Sequence, residues 1–571
     1  MEVDSSSTQR ILRTACYTRP PAMRAFSQRR VLLSLLLVAA AAGCGSGSST
    51  SSGGSASGTP VNGGTLLAGI PSNPDHLDGA LSATTEGWEI LEATNDGLMT
   101  FKRAAGGAGS EVVPDLATSP PAITHGGLVY TFHVRPGVKF SPPVNRDVRP
   151  SDVKASIERI LRIDSPNVSW YTGIVGATAY EAHKTQNVPG IVANDGAGTI
   201  SFHLTQPDGT FLEYLALPPA FVYPAGTPPH DVSTVSRYRI ATGPYMISSY
   251  VPRQQVMLTR NPNFKPWPNT PDGHLSAIKI TIGTTPEQAV NETAAGQLDY
   301  YFLNPPPDRL TQVEKQYPSQ VQKGATGEIE YFSMNERRYP FNKLAVRQAV
   351  NYATNRQALL KLEGGQGTIT ENVIPPSFGT AYVKHDYYPY DPAKAKSLIS
   401  QAGVKGAHVT VWVLNTDPYP NVAQYMASVL NSLGMNATVK VVDASVYWDL
   451  IATQKNDPQI AYNNWSQDFP EGEDFIDTQL NGEGIVNVGN NNQSNVNIAA
   501  YNHMIDEARR MPLGSARNAL WAKLDGLYMK NNAPWVVFMN AARYKFVSSR
   551  LHGLVFNGTY YDLFPSMWLS Q

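Results

Sequence analysis

A break in composition at Pro60 sets the terms for the whole chain. Ser46 to Gly58 is almost pure Ser and Gly, whereas the stretch from Pro60 to Gln571 is globular throughout, with no internal repeat and only the short Asn490 to Asn492 tract of low complexity. A body of that length needs two or more packed units rather than one small core. Two hydrophobic periods alternate within it. Leu128, Tyr130, Phe132 and Val134 alternate with Val129, Thr131 and His133, the period of a half-buried strand, and Arg135-Pro136-Gly137 then supplies a turn. Val346, Ala349, Val350, Ala353 and Leu360 recur at three- and four-residue spacing, which predicts one long helix with Arg347, Asn351 and Arg356 elsewhere on its surface. Ser151, followed by Asp152, is expected to cap a helix that runs to Leu161. Asp391-Pro392 opens another that stops at Gly403, with proline at the first position and glycine past the end. The expected class is mixed α/β.

Ahead of the Ser/Gly tract, Arg24, Arg29 and Arg30 precede an unbroken apolar run from Val31 to Ala42, then Gly43 and Cys44. This is the three-part pattern of a signal peptide, and the run is too short to span a hydrocarbon core of about 30 Å, which takes about 20 residues. The residues before Met23 would make an overlong positive region, so translation is expected to start at Met23 and Cys16 to be absent from the protein. Arg29-Arg30 fits twin-arginine export in part, which leaves two export routes open. Ala41-Ala42-Gly43-Cys44 resembles a bacterial lipobox, in which Cys44 is lipidated and becomes the first mature residue; the alternative is an ordinary cleavage site beside an incidental cysteine. The Ser/Gly tract would then be a flexible tether with an end-to-end distance of roughly 20 Å, and two or more acyl chains would hold the protein on the outer face of the cytoplasmic membrane.

Several function classes drop out. Formal net charge is -1 and no basic block is interleaved with aromatics, so nucleic acid is not an expected partner. The two cysteines form no CxxC pair and the eleven histidines are scattered, His133 and His203 each within an alternating strand, so neither a metal nor a cofactor is expected. Ser151 and Lys154 match SxxK, but no SDN or KTG partner follows, and HExxH, GxSxG and phosphate-loop patterns are missing. The chain is therefore not expected to be an enzyme. A glycoside hydrolase built on acids such as Asp468, Glu471 and Glu473 stays as a minor alternative.

An ordered series of blocks resembles the extracellular solute-binding protein family 5, the oligopeptide- and dipeptide-binding components of ABC importers. The blocks are Val113-Pro114-Asp115-Leu116-Ala117, Tyr130 through Ser141, Ser151-Asp152-Val153, Thr242-Gly243-Pro244-Tyr245, Gly296 to Asp299, Ser333-Met334-Asn335, Val346 to Val350, and Tyr390 to Ala395 with Gly403. The series departs from the family at Ser141-Pro142-Pro143, where a Ser-Asp-Gly turn is common, and at Asn355-Arg356, where Asp-Arg is common.

The resemblance implies a periplasmic-binding-protein-like hinged clamp of two α/β lobes with an inserted subdomain. On this chain it implies residues 1–22 ahead of the true start, 23–43 as signal peptide, 44–59 as lipidated cysteine and linker, 60–97 with 235–327 and 544–571 as lobe I, 98–234 as its insertion, and 328–543 as lobe II. The hinge crossings then fall near Gly327 and Arg543. It further implies a monomer that captures a short peptide and works with an ABC permease and its ATPase subunits. Trp465-Ser466-Gln467-Asp468 resembles the family's Trp-x-x-Asp turn, whose acid pairs with the ligand's ammonium group. Asp468 is thus the expected anchor, unless it only caps the helix that starts near Gly472. Trp465, Tyr462, Tyr419, Trp448 and Phe469 are candidate pocket walls. Phe469-Pro470-Glu471 replaces the Asn/Asp-Pro region common in peptide binders, so a metal chelate, a sugar or haem is the alternative solute.

Overall fold

Three sheets organise the chain, and the third is built around a long two-stranded ladder. The computed structural model describes residues 59–570; the expected signal peptide, the Met23 start and Cys44 lie outside the described residues. No helix among these is long and apolar enough to cross a membrane.

The first sheet has five strands, in the order Tyr300–Tyr301, Thr65–Ile70, Ala277–Ile282, Gln255–Arg260 and Tyr245–Val251. Thr65–Ile70 runs parallel to both of its neighbours, so residues more than two hundred positions apart complete one layer. Period-two patterning explains its single apolar face: Ile278, Ile280 and Ile282 are buried while Lys279 and Thr281 are exposed. The second sheet is antiparallel, in the order Ala122–Thr124, Val129–His133, Thr199–His203 and Ile191–Asn194. Tyr130 and Phe132 point into its core as the alternation requires, and Gly137, at φ 78°, makes the turn that follows.

The helix against this second sheet starts two residues earlier than expected. It spans Pro150–Ile160, with Arg149 as its N-cap. Proline at the first position has no N–H to satisfy, and the Asp152 carboxylate accepts from the Arg149 backbone at 2.9 Å and from both Arg146 guanidinium nitrogens at 2.7 Å. Ser151 instead bonds Asp195 through its hydroxyl and its backbone N–H. Lys154 donates to the Ile191 carbonyl, so the two residues of the SxxK match serve different partners.

The third sheet has six strands, ordered Gly367–Ile369, Trp535–Phe546, Val321–Met334, Ile460–Ser466, His408–Leu414 and Asn436–Val442. Apolar cores cover both of its faces. The expected long helix is two helices, Leu344–Ala353 and Arg356–Leu362, because the Asn355 side chain accepts from the Gln357 and Ala358 N–H groups and so caps the second. Arg347, Asn351 and Arg356 are buried, contrary to the surface placement expected of them. Their side chains donate to the carbonyls of Asn532, Trp535 and Val537, so the buried polar groups of the helices and the neighbouring strand satisfy one another. The helix Pro392–Ala402 forms as expected, with Asp391 accepting from the Lys394 N–H and Gly403 in the left-handed region at φ 62°.

Val321–Met334 and Trp535–Phe546 are the two longest strands, and they pair in two stretches. Val321 to Ala325 oppose Phe546 to Ala542, and Ile329 to Ser333 oppose Asn540 to Trp535 with a one-residue register shift between Glu330 and Tyr331; a bulge at residues 326–328 separates the two stretches. The first stretch packs its side chains with Val290, Leu310 and Val313, outside the cores of the six-stranded sheet.

Candidate ligand-binding turn

The strand Ile460–Ser466 ends in a tight turn that runs from Gln467 to Glu471 and enters the helix Gly472–Leu480. The Gln467 N–H donates to the Gly327 carbonyl at 2.9 Å, and its side-chain amide donates to the Thr559 hydroxyl at 3.1 Å. Phe469 is buried in the core beneath the second sheet, edge-on to Tyr214 with ring centroids 5.5 Å apart. Glu471, and not Asp468, caps the helix, by accepting from the Glu473 N–H. These fixed neighbours leave Asp468 as the outward point of the turn.

Asp468 combines exposure with confinement. It is exposed at the surface, yet the protein mass around it pushes its carboxyl up to about 6 by desolvation. Its backbone N–H donates to the Asp474 carboxylate at 2.8 Å, but its own carboxylate meets no hydrogen-bond partner among the described residues. Asp474 is fully buried, and desolvation together with the Asp468 charge drives it well above the usual carboxylate range. Water reaches Asp468 and not Asp474, so Asp468 carries the charge of the pair near neutral pH. A confined anion with free acceptor sites is suited to an ammonium group that brings its own donors.

A pH dependence follows. An ammonium partner favours the charged form, so affinity for an amine ligand is expected to rise with pH through about 6 and to level off above 7. A carboxyl with that pKa is about one-tenth ionised at pH 5, which corresponds to roughly tenfold weaker binding than at pH 7.5. Calorimetric titration at the two pH values measures this. The ligand-free protein behaves in the opposite sense: a raised carboxyl binds protons more tightly folded than unfolded, so this group favours the fold as pH falls through 6.

The expected aromatic walls separate into two groups. Trp465 is half-buried on the same strand end, opposite Ile329 in the ladder and against the core that includes Phe475 and Trp521. Tyr462 and Tyr419 lie with their rings 4.5 Å apart inside the core of the other face, together with Trp448, and Tyr462 donates its hydroxyl to Glu330 at 3.0 Å. They are enclosed packing residues here, because Tyr462 falls three positions before Trp465 and its side chain goes to the opposite side of the sheet. The structure thus places Trp465 and Asp468 together at the strand end and its turn, buries Phe469 in the core beneath the second sheet, and encloses Tyr462 and Tyr419 in the core of the other face.

Behind the turn lies a charged cluster that sequence reasoning missed. Arg517, in the helix Ser515–Asn531, is wholly buried and pairs with Glu471 at 3.1 Å and Glu473 at 2.7 Å; it also donates to the Thr210 hydroxyl at 2.6 Å. Glu213 is buried in the same cluster, and burial raises all three glutamates, Glu473 to about 7. Two of the acids considered for glycoside hydrolysis are therefore committed to one arginine. Thr210 and Arg517 are 307 positions apart, so nothing local in the sequence signals their contact. Among the described residues no group of three or more His, Cys, Asp or Glu side chains is arranged to hold a metal ion.

Comparison with known proteins agrees with this architecture. The profile of the bacterial extracellular solute-binding proteins, family 5, middle region, matches residues 111–487. Heme-binding protein A of Haemophilus influenzae is 26% identical over 493 residues, which is 82% of this chain and 85% of that protein. Di/tripeptide-binding protein 1 of Pseudomonas aeruginosa is 27% identical over 462 residues, 78% of this chain and 83% of that one. Among solved structures, a clavulanic acid biosynthesis oligopeptide binding protein superposes with a TM-score of 0.79 at 23% identity, covering 90% of this chain and 96% of its own. That likeness identifies the fold as the two-lobe α/β clamp expected from the sequence.

Proposed function

We propose that this chain, which belongs to the bacterial extracellular solute-binding proteins of family 5, captures short peptides by hinge closure and delivers them to an ABC permease. The observation that carries this reading is the Asp468 carboxylate, which is accessible, confined and without a hydrogen-bond partner among the described residues. A peptide presents an ammonium group to a closing cleft, and a fixed anion offsets the cost of burying that charge. The rest of the peptide would be held largely through its backbone, like an added strand. In this reading the ladder between Val321–Met334 and Trp535–Phe546 is the hinge, with its crossings near Gly327 and Arg543, and lobe I, its insertion and lobe II follow the divisions expected from the sequence. The protein acts extracytoplasmically, as a monomer anchored through lipid on Cys44, and performs no catalysis.

The test is thermal. The soluble form that begins after Cys44, stripped of carried-over ligand, is melted with mixed tripeptides to pentapeptides and with the same peptides N-acetylated. Ligand at a hundred times its dissociation constant stabilises by about 2.7 kcal/mol, which a melt resolves. Free-amine peptides are expected to raise the melting temperature and acetylated ones to leave it unchanged. No rise with either would reject the peptide reading and favour a non-peptide solute, the class represented by the haem-binding relative.

A further inference from the structure

We infer that Asn540 is a second ligand contact, whose carboxamide engages a peptide unit of the solute; this rests on the peptide reading above. Asn540, in the strand Trp535–Phe546, is 5% exposed, and neither its Oδ1 nor its Nδ2 meets a hydrogen-bond partner among the described residues. Buried polar side chains are satisfied in the large majority of cases. A carboxamide with both ends unengaged therefore points to a ligand that offers a donor and an acceptor side by side, as the N–H and C=O of an extended peptide do.

Its position in the sheet joins it to the Asp468 turn. Residues directly opposed in an antiparallel ladder share a face, so Thr368, Asn540, Ile329 and Trp465 form one row across four strands. Thr368 is exposed at one end of the row, and Trp465 at the other leads into Asp468. The bulge at residues 326–328 interrupts the ladder beside Asn540. There Gly327, having no side chain, lets Gln467 lie against the strand, and Gln467 Oε1 is also without a partner. One wholly unengaged carboxamide, the free Oε1 of a second and an unengaged carboxylate thus lie at one corner of the sheet among the described residues.

The span gives the contact a place along the ligand. With strands about 4.8 Å apart and residues about 3.3 Å apart along a strand, Asn540 lies roughly 14 Å from Asp468. An extended peptide advances by the same ~3.3 Å per residue, so the contact falls at about the fourth residue from the ammonium group. Tetraalanine reaches it and dialanine does not.

The experiment is calorimetric titration of the wild type, Asn540→Ala and Asn540→Leu with both peptides, together with melts of the ligand-free proteins. Both variants are expected to bind tetraalanine about tenfold or more weakly, to bind dialanine as the wild type does, and to melt no lower than it. Unchanged affinity for tetraalanine, or equal losses for the two peptides, would overturn the assignment. So would a lowered melting temperature with unchanged affinity, which would make Asn540 part of the scaffold. Wild type that binds neither peptide would overturn the peptide reading together with this contact.

Discussion

Replacing Arg517 with methionine is expected to destabilise the ligand-free protein by about 3–5 kcal/mol, read as a large fall in melting temperature or in the urea midpoint. Arg517 has no exposed surface, and the acids it serves are as enclosed as it is. Removing the cation leaves Glu471, Glu473 and Glu213 as buried carboxylates that repel one another, with the half-exposed Arg509, 3.6 Å from Glu473, as the remaining cation beside them. Their pKa values, already raised by burial, rise further. The folded variant then takes up protons that the unfolded chain does not, so its stability recovers as pH falls, and the deficit is expected to be larger at pH 8 than at pH 6. Combining Arg517→Met with Glu471→Gln and Glu473→Gln is expected to restore much of the loss, since neutral side chains do not need the cation. A deficit that neither pH nor the combined variant changes would show that packing of the Arg517 side chain, rather than its charge, is what matters. The position also bears on binding, because Glu471 lies three residues after Asp468 and Phe469 is clamped against Tyr214 between them.

Asp468→Ala is expected to weaken binding of free-amine peptides on the order of 10- to 100-fold while leaving the ligand-free melting temperature unchanged or slightly raised. The first effect is the size of a charge-assisted hydrogen bond, about 1.5–3 kcal/mol. The second follows from the geometry of the turn. Asp468 contributes a backbone N–H to Asp474, which alanine retains, and its carboxylate bonds nothing among the described residues. Its raised pKa also means that the fold disfavours its charge, so removing it relieves a small repulsion with Asp474. Asp468→Asn keeps the shape without the charge and should lose nearly as much affinity. A fall of several degrees in the ligand-free protein would restore a structural role of the kind the structure assigns to Glu471.

Much of the architecture was legible because it depends on short-range rules. Asp391, Pro392 and Gly403 bracket a helix through a cap, a fixed φ and a left-handed terminator, all local properties. The alternation around Tyr130 and Phe132 describes a one-faced strand whatever lies on the other side. The Trp465 to Asp468 turn was legible as a motif. What failed was anything that required knowing where polar atoms find partners. Arg347, Asn351 and Arg356 break an apolar stripe as surface residues would, yet they are the groups that satisfy strand and loop carbonyls from within. Ser151 has the chemistry of a cap, but Pro150 and Asp152 together set the helix start ahead of it, at Pro150. Tyr462 and Trp465 look equivalent as aromatics near an acid, and only their positions in the sheet separate a core residue from one at the turn. Asn540 and Arg517 had no local signal at all, because their neighbours come from distant parts of the chain.

The ladder between Val321–Met334 and Trp535–Phe546 also bears on the order in which the molecule assembles. Its partners are about two hundred residues apart, and closing a loop of that size brings a large entropic cost before any pairing compensates it. Until residues 535–546 arrive, Val321–Met334 and Gly367–Ile369 lack the strand that lies between them, and each presents an unpaired edge. Exposed edges of this kind invite pairing with other chains. The helices of the intervening segment and its parallel strands His408–Leu414, Asn436–Val442 and Ile460–Ser466 can form earlier, but the six-stranded sheet is completed only by a segment synthesised about two hundred residues after Val321–Met334. Completion of this sheet therefore waits until the chain from Val321 to Phe546 is present.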